Sequence, residues 1–142
     1  MTDILTLDLA NAIINGALAE ASAQKLKPLT VAVLDAGGHL VALQRQDGTS
    51  NLRPQIAMGK ANGSLQLGVN SRKIGTMAAE RPHFVGALAS LSGSIIPVAG
   101  GVLFHSPGGR LLGAVGITGD TSDNDEAACI AGVTAAGLVA AA

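Results

Sequence analysis

The chain has 142 residues, 48% apolar and 13% charged, with a net charge of −1 and two aromatic residues, Phe84 and Phe104. That length suits one domain over 1–142, able to hide roughly 68–70% of the surface of its unfolded chain. The charge balance excludes the clustered Lys and Arg that nucleic-acid binding needs, and the single cysteine, Cys129, excludes an intrachain disulfide.

The opening MTDILTLDLANAIINGAL holds two acids and no base, so no secretory signal is expected, and a reducing, cytoplasmic setting follows. Thr6 is placed to cap a first helix reaching about Leu26, with Leu9, Ile13, Ala17 and Ala21 on one stripe. Pro28 fits its termination. Thr30 to Asp35 is β-branched and reads as a strand. Asp35-Ala36-Gly37-Gly38 supplies a turn, and His39 to Gln46 returns as the second strand. Arg45 is expected on the same face of that strand as His39, Val41 and Leu43.

Ser50 or Asn51 can cap a second helix over about Arg53 to Leu67, with Pro54 in its first turn. The stretch from Asn70 to Ser92 is ambiguous; Ala78 to Leu91 reads as a short helix interrupted by Pro82. Ile95 to Val98 is expected as a short strand. Gly100-Gly101 marks a bend, and Val102 to His105 and Arg110 to Thr118 are strands around the Pro107-Gly108-Gly109 turn. After a loop from Gly119 to Asn124, a last helix is expected from about Asp125 to Val139. The uncharged tail AACIAGVTAAGLVAAA is slightly short for a membrane span and reads as buried helix. This order is α+β with an antiparallel sheet, not alternating βαβ.

Motif spacing excludes several chemistries. No Walker A loop, dinucleotide fingerprint or nucleophile elbow is present. His39, His83 and His105 lack metal-ligand spacing, and no metal site is expected. His39 and His105 are expected at solvated turns, Met58 and Met77 in packing, and Cys129 buried and inert.

Three blocks together, VAVLDAGGHLVALQRQDG, IAMGKANGSL and IIPVAGGVLFHSPGGRLLGAVGITGDTSDNDEAACIAG, resemble the GlcG/HbpS family. This is also called the haem-degrading or DUF336 family, and the carboxy-terminal domain of PduO-type proteins belongs to it. The resemblance implies a profilin-like fold with a five-stranded antiparallel sheet and packed helices. It also implies homo-oligomers, from dimers up to octamers, and haem or corrinoid binding. The first helix holds no histidine, so no haem ligand carries over from the motifs, and the cofactor stays open with haem among the candidates.

Several side chains are candidates for a site. Arg45 can hold a carboxylate bidentately or pair with Asp47 or an acid of the last helix. Lys60, among Ala and Gly, is expected as a partly desolvated binding or acid–base group, or as a surface or interface lysine. His83 in ERPHFVG is expected on a loop, lining a pocket or exposed. Gly100 and Gly101 can offer backbone N–H groups to an anion or simply bend the chain. Asp125 serves a helix N-terminus or pairs with Arg45 or Lys60. Arg45 and Lys60 are expected to converge on one cavity, near a subunit interface. Three functions are then open: a small-molecule binding protein for haem or an anionic metabolite, accessory to catabolism; a cofactor-free enzyme using Lys60 or His83 on a small carbonyl or carboxylate compound; or a ligand-free structural subunit.

Overall fold

The computed structural model describes residues 3–142. Met1 and Thr2, the start of the stretch read above as carrying no signal, lie outside the described residues. The elements run α1 (Leu7–Ala23), β1 (Thr30–Asp35), β2 (Leu40–Arg45), α2 (Arg53–Leu67), α3 (Ser71–Glu80), α4 (Pro82–Ser92), β3 (Gly101–His105), β4 (Leu111–Thr118), α5 (Ser122–Ala135) and β5 (Val139–Ala140). The strands form one antiparallel sheet in the order β2-β1-β4-β3-β5. The expected α+β fold with five antiparallel strands is the fold observed.

Apolar alternation along β1, β3 and β4 serves two faces. One face receives α1 and α5, where Ile13, Ile14 and Val133 pack on Val31, Val33, Val102, Phe104, Val115 and Ile117. The other receives α2, with Ala61 against Leu34, Leu103 and Ala114. Small residues set how closely α2 approaches. A side chain on Gly116 of β4 would overlap the Ala57 carbonyl of α2, so helix and sheet touch backbone to backbone.

The hairpin forms for the reason its sequence suggests. The Asp35 carboxylate accepts from the N–H groups of Gly37 and His39, both at 3.0 Å, and Gly38 takes φ +87°. A register shift at Val33/Leu34 breaks the strict alternation of β2. Val41 and Ala42 therefore both pack against the α1/α5 core. Arg45, paired with Thr30, does not share a face with Val41 as expected.

Other boundaries differ for local reasons. Thr6 caps α1 as expected, accepting from the Leu9 N–H. The helix stops at Ala23, not Leu26, because Lys25 turns left-handed at φ +56° and Leu26 N–H closes back on the Ala21 carbonyl. Pro82 opens α4 at its first turn instead of interrupting a longer helix, and the preceding residues form α3. Ile95 to Val98 is no strand. Ile96 N–H reaches the Gly59 carbonyl of α2 at 3.3 Å, and Ile95 and Ile96 fit against Gly63 and Gly59. Their apolar surface is thus covered by a helix face without a strand partner. Gly137, at φ +78°, ends the last helix early, and Val139 and Ala140 pair with His105 and Phe104. Among the described residues no helix is long and apolar enough to cross a membrane.

Candidate functional site

Four of the candidate residues meet, but in the core. Lys60 of α2 is 2% exposed and Asp125 of α5 is 1% exposed. The Lys60 ammonium donates to the Ile117 carbonyl at 2.9 Å and to Asp125 Oδ2 at 3.2 Å. Asp125 Oδ1 accepts from the Asp120 N–H at 3.0 Å. Burial pushes the Asp125 carboxyl above its ordinary range, while Lys60 and the Asp120 N–H pull it back. Cys129 donates to the Gly100 carbonyl at 3.2 Å, and burial raises its thiol far beyond reactive thiolate formation.

The glycine pair makes this cluster possible. Gly100 stands at φ +121°, and a Cβ there would lie 2.8 Å from Lys60 Nζ. A Cβ on Gly101 would overlap the Lys60 carbonyl. The Gly101 N–H is taken by Ser71 Oγ at 2.7 Å. The anion nest expected here is therefore filled from within. The glycines admit the lysine and the α3 serine.

Arg45 and His83 stand elsewhere. Arg45 is exposed at the end of β2 and donates from Nε to Thr49 Oγ1 at 3.4 Å. It borders an open depression of about 630 Å³ with Lys25, Leu26 and Asp47, at the C-terminal end of α1. Lys60 does not line that depression. The shared cavity expected for Arg45 and Lys60 is not formed in this chain, because Lys60 points into the protein and is consumed by Asp125 and Ile117. His83 is exposed in the first turn of α4, not on a loop, and Arg81 covers the ring of its neighbour Phe84 at 4.1 Å.

A different cavity combines the features a small-molecule site needs. It has about 560 Å³ and lies between α3, α5 and the strand-forming tail. Val69, Leu103 and Ile130 give it apolar walls, and Arg72, Lys73, Thr76 and Glu126 give it a polar side. Ile130 remains 41% exposed. The Arg72 guanidinium reaches across to Glu126 at 3.1 Å and to Asp123 of α5. Lys73 forms no ion pair among the described residues. Asn70 fixes the floor: its Oδ1 accepts from Leu103 N–H at 2.9 Å and its Nδ2 donates to the Ala141 carbonyl at 2.8 Å.

Two further cavities fit an anion less well. The depression beside Arg45 sits at a helix C-terminus, whose carbonyls repel negative charge. A pocket of about 270 Å³ between the hairpin tip and α2 is lined by Leu34, Leu40, Met58 and Asn62, without a charge.

Sequence reading missed Arg72 and Lys73. The available signal was Asn70-Ser71 as a helix start followed by apolar Ile74, Met77 and Ala78 at helical spacing.

The fold has known counterparts. PduOC, in the crystal structure of its haem complex, superposes with a TM-score of 0.84 at 18% identity, over 96% of this chain and 97% of that one. HbpS superposes with a TM-score of 0.79 at 24% identity, over 94% and 91%. The Klebsiella pneumoniae protein ORFY, a DUF336 protein, gives 0.85 at 20% identity, over 96% and 93%. No curated protein is significantly similar to the chain in sequence. The family model described as "Haem degrading protein HbpS-like" matches residues 5–134, nearly the whole chain, and the chain belongs to the HbpS-like family.

Proposed function

We propose that this protein binds a small amphipathic anion, the class to which haem with its two propionates belongs, in the cavity between α3, α5 and β5. The observation that carries this reading is the make-up of that cavity. Apolar walls from Val69, Leu103 and Ile130 face Lys73, a cation with no acid partner among the described residues. A ligand would set its apolar body on Ile130 and its carboxylate on the Lys73 ammonium, while Arg72 stays engaged by Glu126 and Asp123.

The donor set does not fit an axially ligated haem inside this cavity, since no His, Cys, Met or Tyr lines it. The family match and the haem complex of the PduOC neighbour support haem as a ligand class; a second version sets it outside this cavity, against His83 and Phe84 on α4. That version goes with self-association. Of α4 only Val85 is buried, while Phe84 and Leu91 stand out, Leu91 at 81% exposure, and such apolar surface commonly marks an interface. This surface supports self-association, and the proposed partner state is a homo-oligomer, from a dimer up to an octamer, in a cytoplasmic setting.

Titration with hemin and with decanoate tests both versions. Lys73→Gln is expected to weaken decanoate binding about tenfold, the scale of one charge-assisted hydrogen bond. A hemin Soret shift lost in His83→Ala and kept in Lys73→Gln would assign haem to α4. Decanoate affinity unchanged by Lys73→Gln would remove the cavity reading.

A further inference from the structure

Two cations without acids stand where β2 ends and α2 begins. Arg45 closes β2 and Arg53 opens α2, and among the described residues neither forms an ion pair. Their contacts are to hydroxyls. Arg45 Nε donates to Thr49 Oγ1 at 3.4 Å, Arg53 Nε to Ser50 Oγ at 3.1 Å, and Arg53 Nη1 to Thr118 Oγ1 at 2.8 Å.

Sheet register sets Arg45 in line with the threonine that Arg53 contacts. Arg45 pairs with Thr30 and Thr30 pairs with Thr118. Directly opposed residues project from the same face. Arg45, Thr30 and Thr118 thus form one row across three strands, spanning about 10 Å at the usual strand spacing. The face is the one covered by α2, since Gly116, two residues before Thr118, meets Ala57 of that helix. Thr30 sits in the middle of the row, 0% exposed. Its Oγ1 is the one buried side-chain polar atom without a hydrogen-bond partner among the described residues. A buried hydroxyl left unpaired is unfavourable and calls for an acceptor. The N-terminus of α2 lies beside this row with no side-chain cap at Leu52, so its partial positive charge is also free to act.

We propose that this row is an oxyanion site that takes a phosphate group, held between the guanidinium groups of Arg45 and Arg53, with the Thr30 hydroxyl donating to one oxygen. Two guanidiniums match the charge of a phosphate dianion, whereas a carboxylate brings one charge. Access is through Arg45, which is exposed. Its contact with Thr49 is longer than usual for a hydrogen bond and yields to an incoming anion. The site is independent of the cavity proposed above, because β2 and β5 are the two opposite edges of the sheet.

Thermal unfolding in inorganic phosphate, with acetate at the same ionic strength as control, tests this. Phosphate is expected to raise the melting temperature in a concentration-dependent way, and acetate is not. Arg45→Gln, an exposed substitution, is expected to cut phosphate affinity about tenfold, and Arg53→Gln at least as much. Thr30→Val is the sharpest probe. Without phosphate it should melt at the wild-type temperature or above, because the hydroxyl serves no partner, and it should bind phosphate several-fold more weakly. An equal phosphate shift in wild type and Arg45→Gln overturns the proposal. So does an acetate shift equal to that of phosphate, or a Thr30→Val protein that is less stable without phosphate.

Discussion

Two ion-pair clusters reach the same first turn of α5 and behave as opposites. Asp125 turns inward to Lys60, where both side chains are almost wholly buried. Asp123 and Glu126 turn outward to Arg72, whose side chain is 53% exposed. The charges are of the same kind, and their surroundings decide what they do. Inside, neither ion can lose its partner without standing uncompensated in the core. Outside, water and salt screen the pair, so Arg72 is free to rearrange when a ligand enters the adjoining cavity. The inner pair is a fixture of the fold, and the outer pair belongs to the candidate site.

The largest effect that would sharpen this contrast is expected at Lys60. Lys60→Met leaves Asp125 buried and alone, at a cost of about 3–5 kcal/mol, measurable by urea unfolding. Adding Asp125→Leu should recover much of that loss, and a double variant no more stable than the single one would break the comparison. Next comes Gly100→Ala, which places a side chain at φ +121° and against Lys60 Nζ. A loss of about 1–3 kcal/mol is expected from the backbone strain, without change at the outer cavity. Lys73→Gln should leave stability within about 0.5 kcal/mol while weakening ligand. Arg72→Gln should likewise stay within about 0.5 kcal/mol, the scale of an exposed ion pair, with the difference vanishing in high salt.

The smallest expected effect is a pH slope beside the same turn. Asp120 accepts from the Asn124 side-chain amide, the Lys27 N–H and the Thr121 N–H, which hold its carboxyl at about 2 against an ordinary 3.8. A carboxyl lowered by folding binds protons more readily in the unfolded chain. Its contribution is full above pH 3.8 and fades as pH falls toward 2. Asp120→Asn should flatten the acid limb of a stability–pH curve. An unchanged limb would mean that those three hydrogen bonds do not hold in solution.

The contrast also shows what the sequence could reveal. The hairpin was legible because Asp35 and Gly38 are dictated by local geometry, and α2 because Pro54 stands at the very start of its helical stretch, where a first turn accepts it. Arg45 and Lys60 were misjudged as a pair because their meeting depends on strand register and helix rotation. A one-residue shift at Val33/Leu34, silent in the sequence, reassigns the strand's faces. Lys60 among Ala and Gly signals a tight environment, but the same small residues suit a pocket wall and a closed core. Ile95 to Val98 misled for a similar reason, since its β-branched start satisfies the side of a helix as well as a sheet. The cavity at Arg72 and Lys73 was hidden by Pro82, whose two meanings, helix breaker and helix opener, cannot be separated without knowing where α3 ends.

The two-residue strand β5 has a practical consequence. With Ala141 N–H on the Leu103 carbonyl at 2.9 Å, this tail occupies hydrogen-bonding groups along the rim of β3 that would otherwise invite a foreign strand. Clipping the last few residues should therefore leave a protein that folds yet sticks to itself.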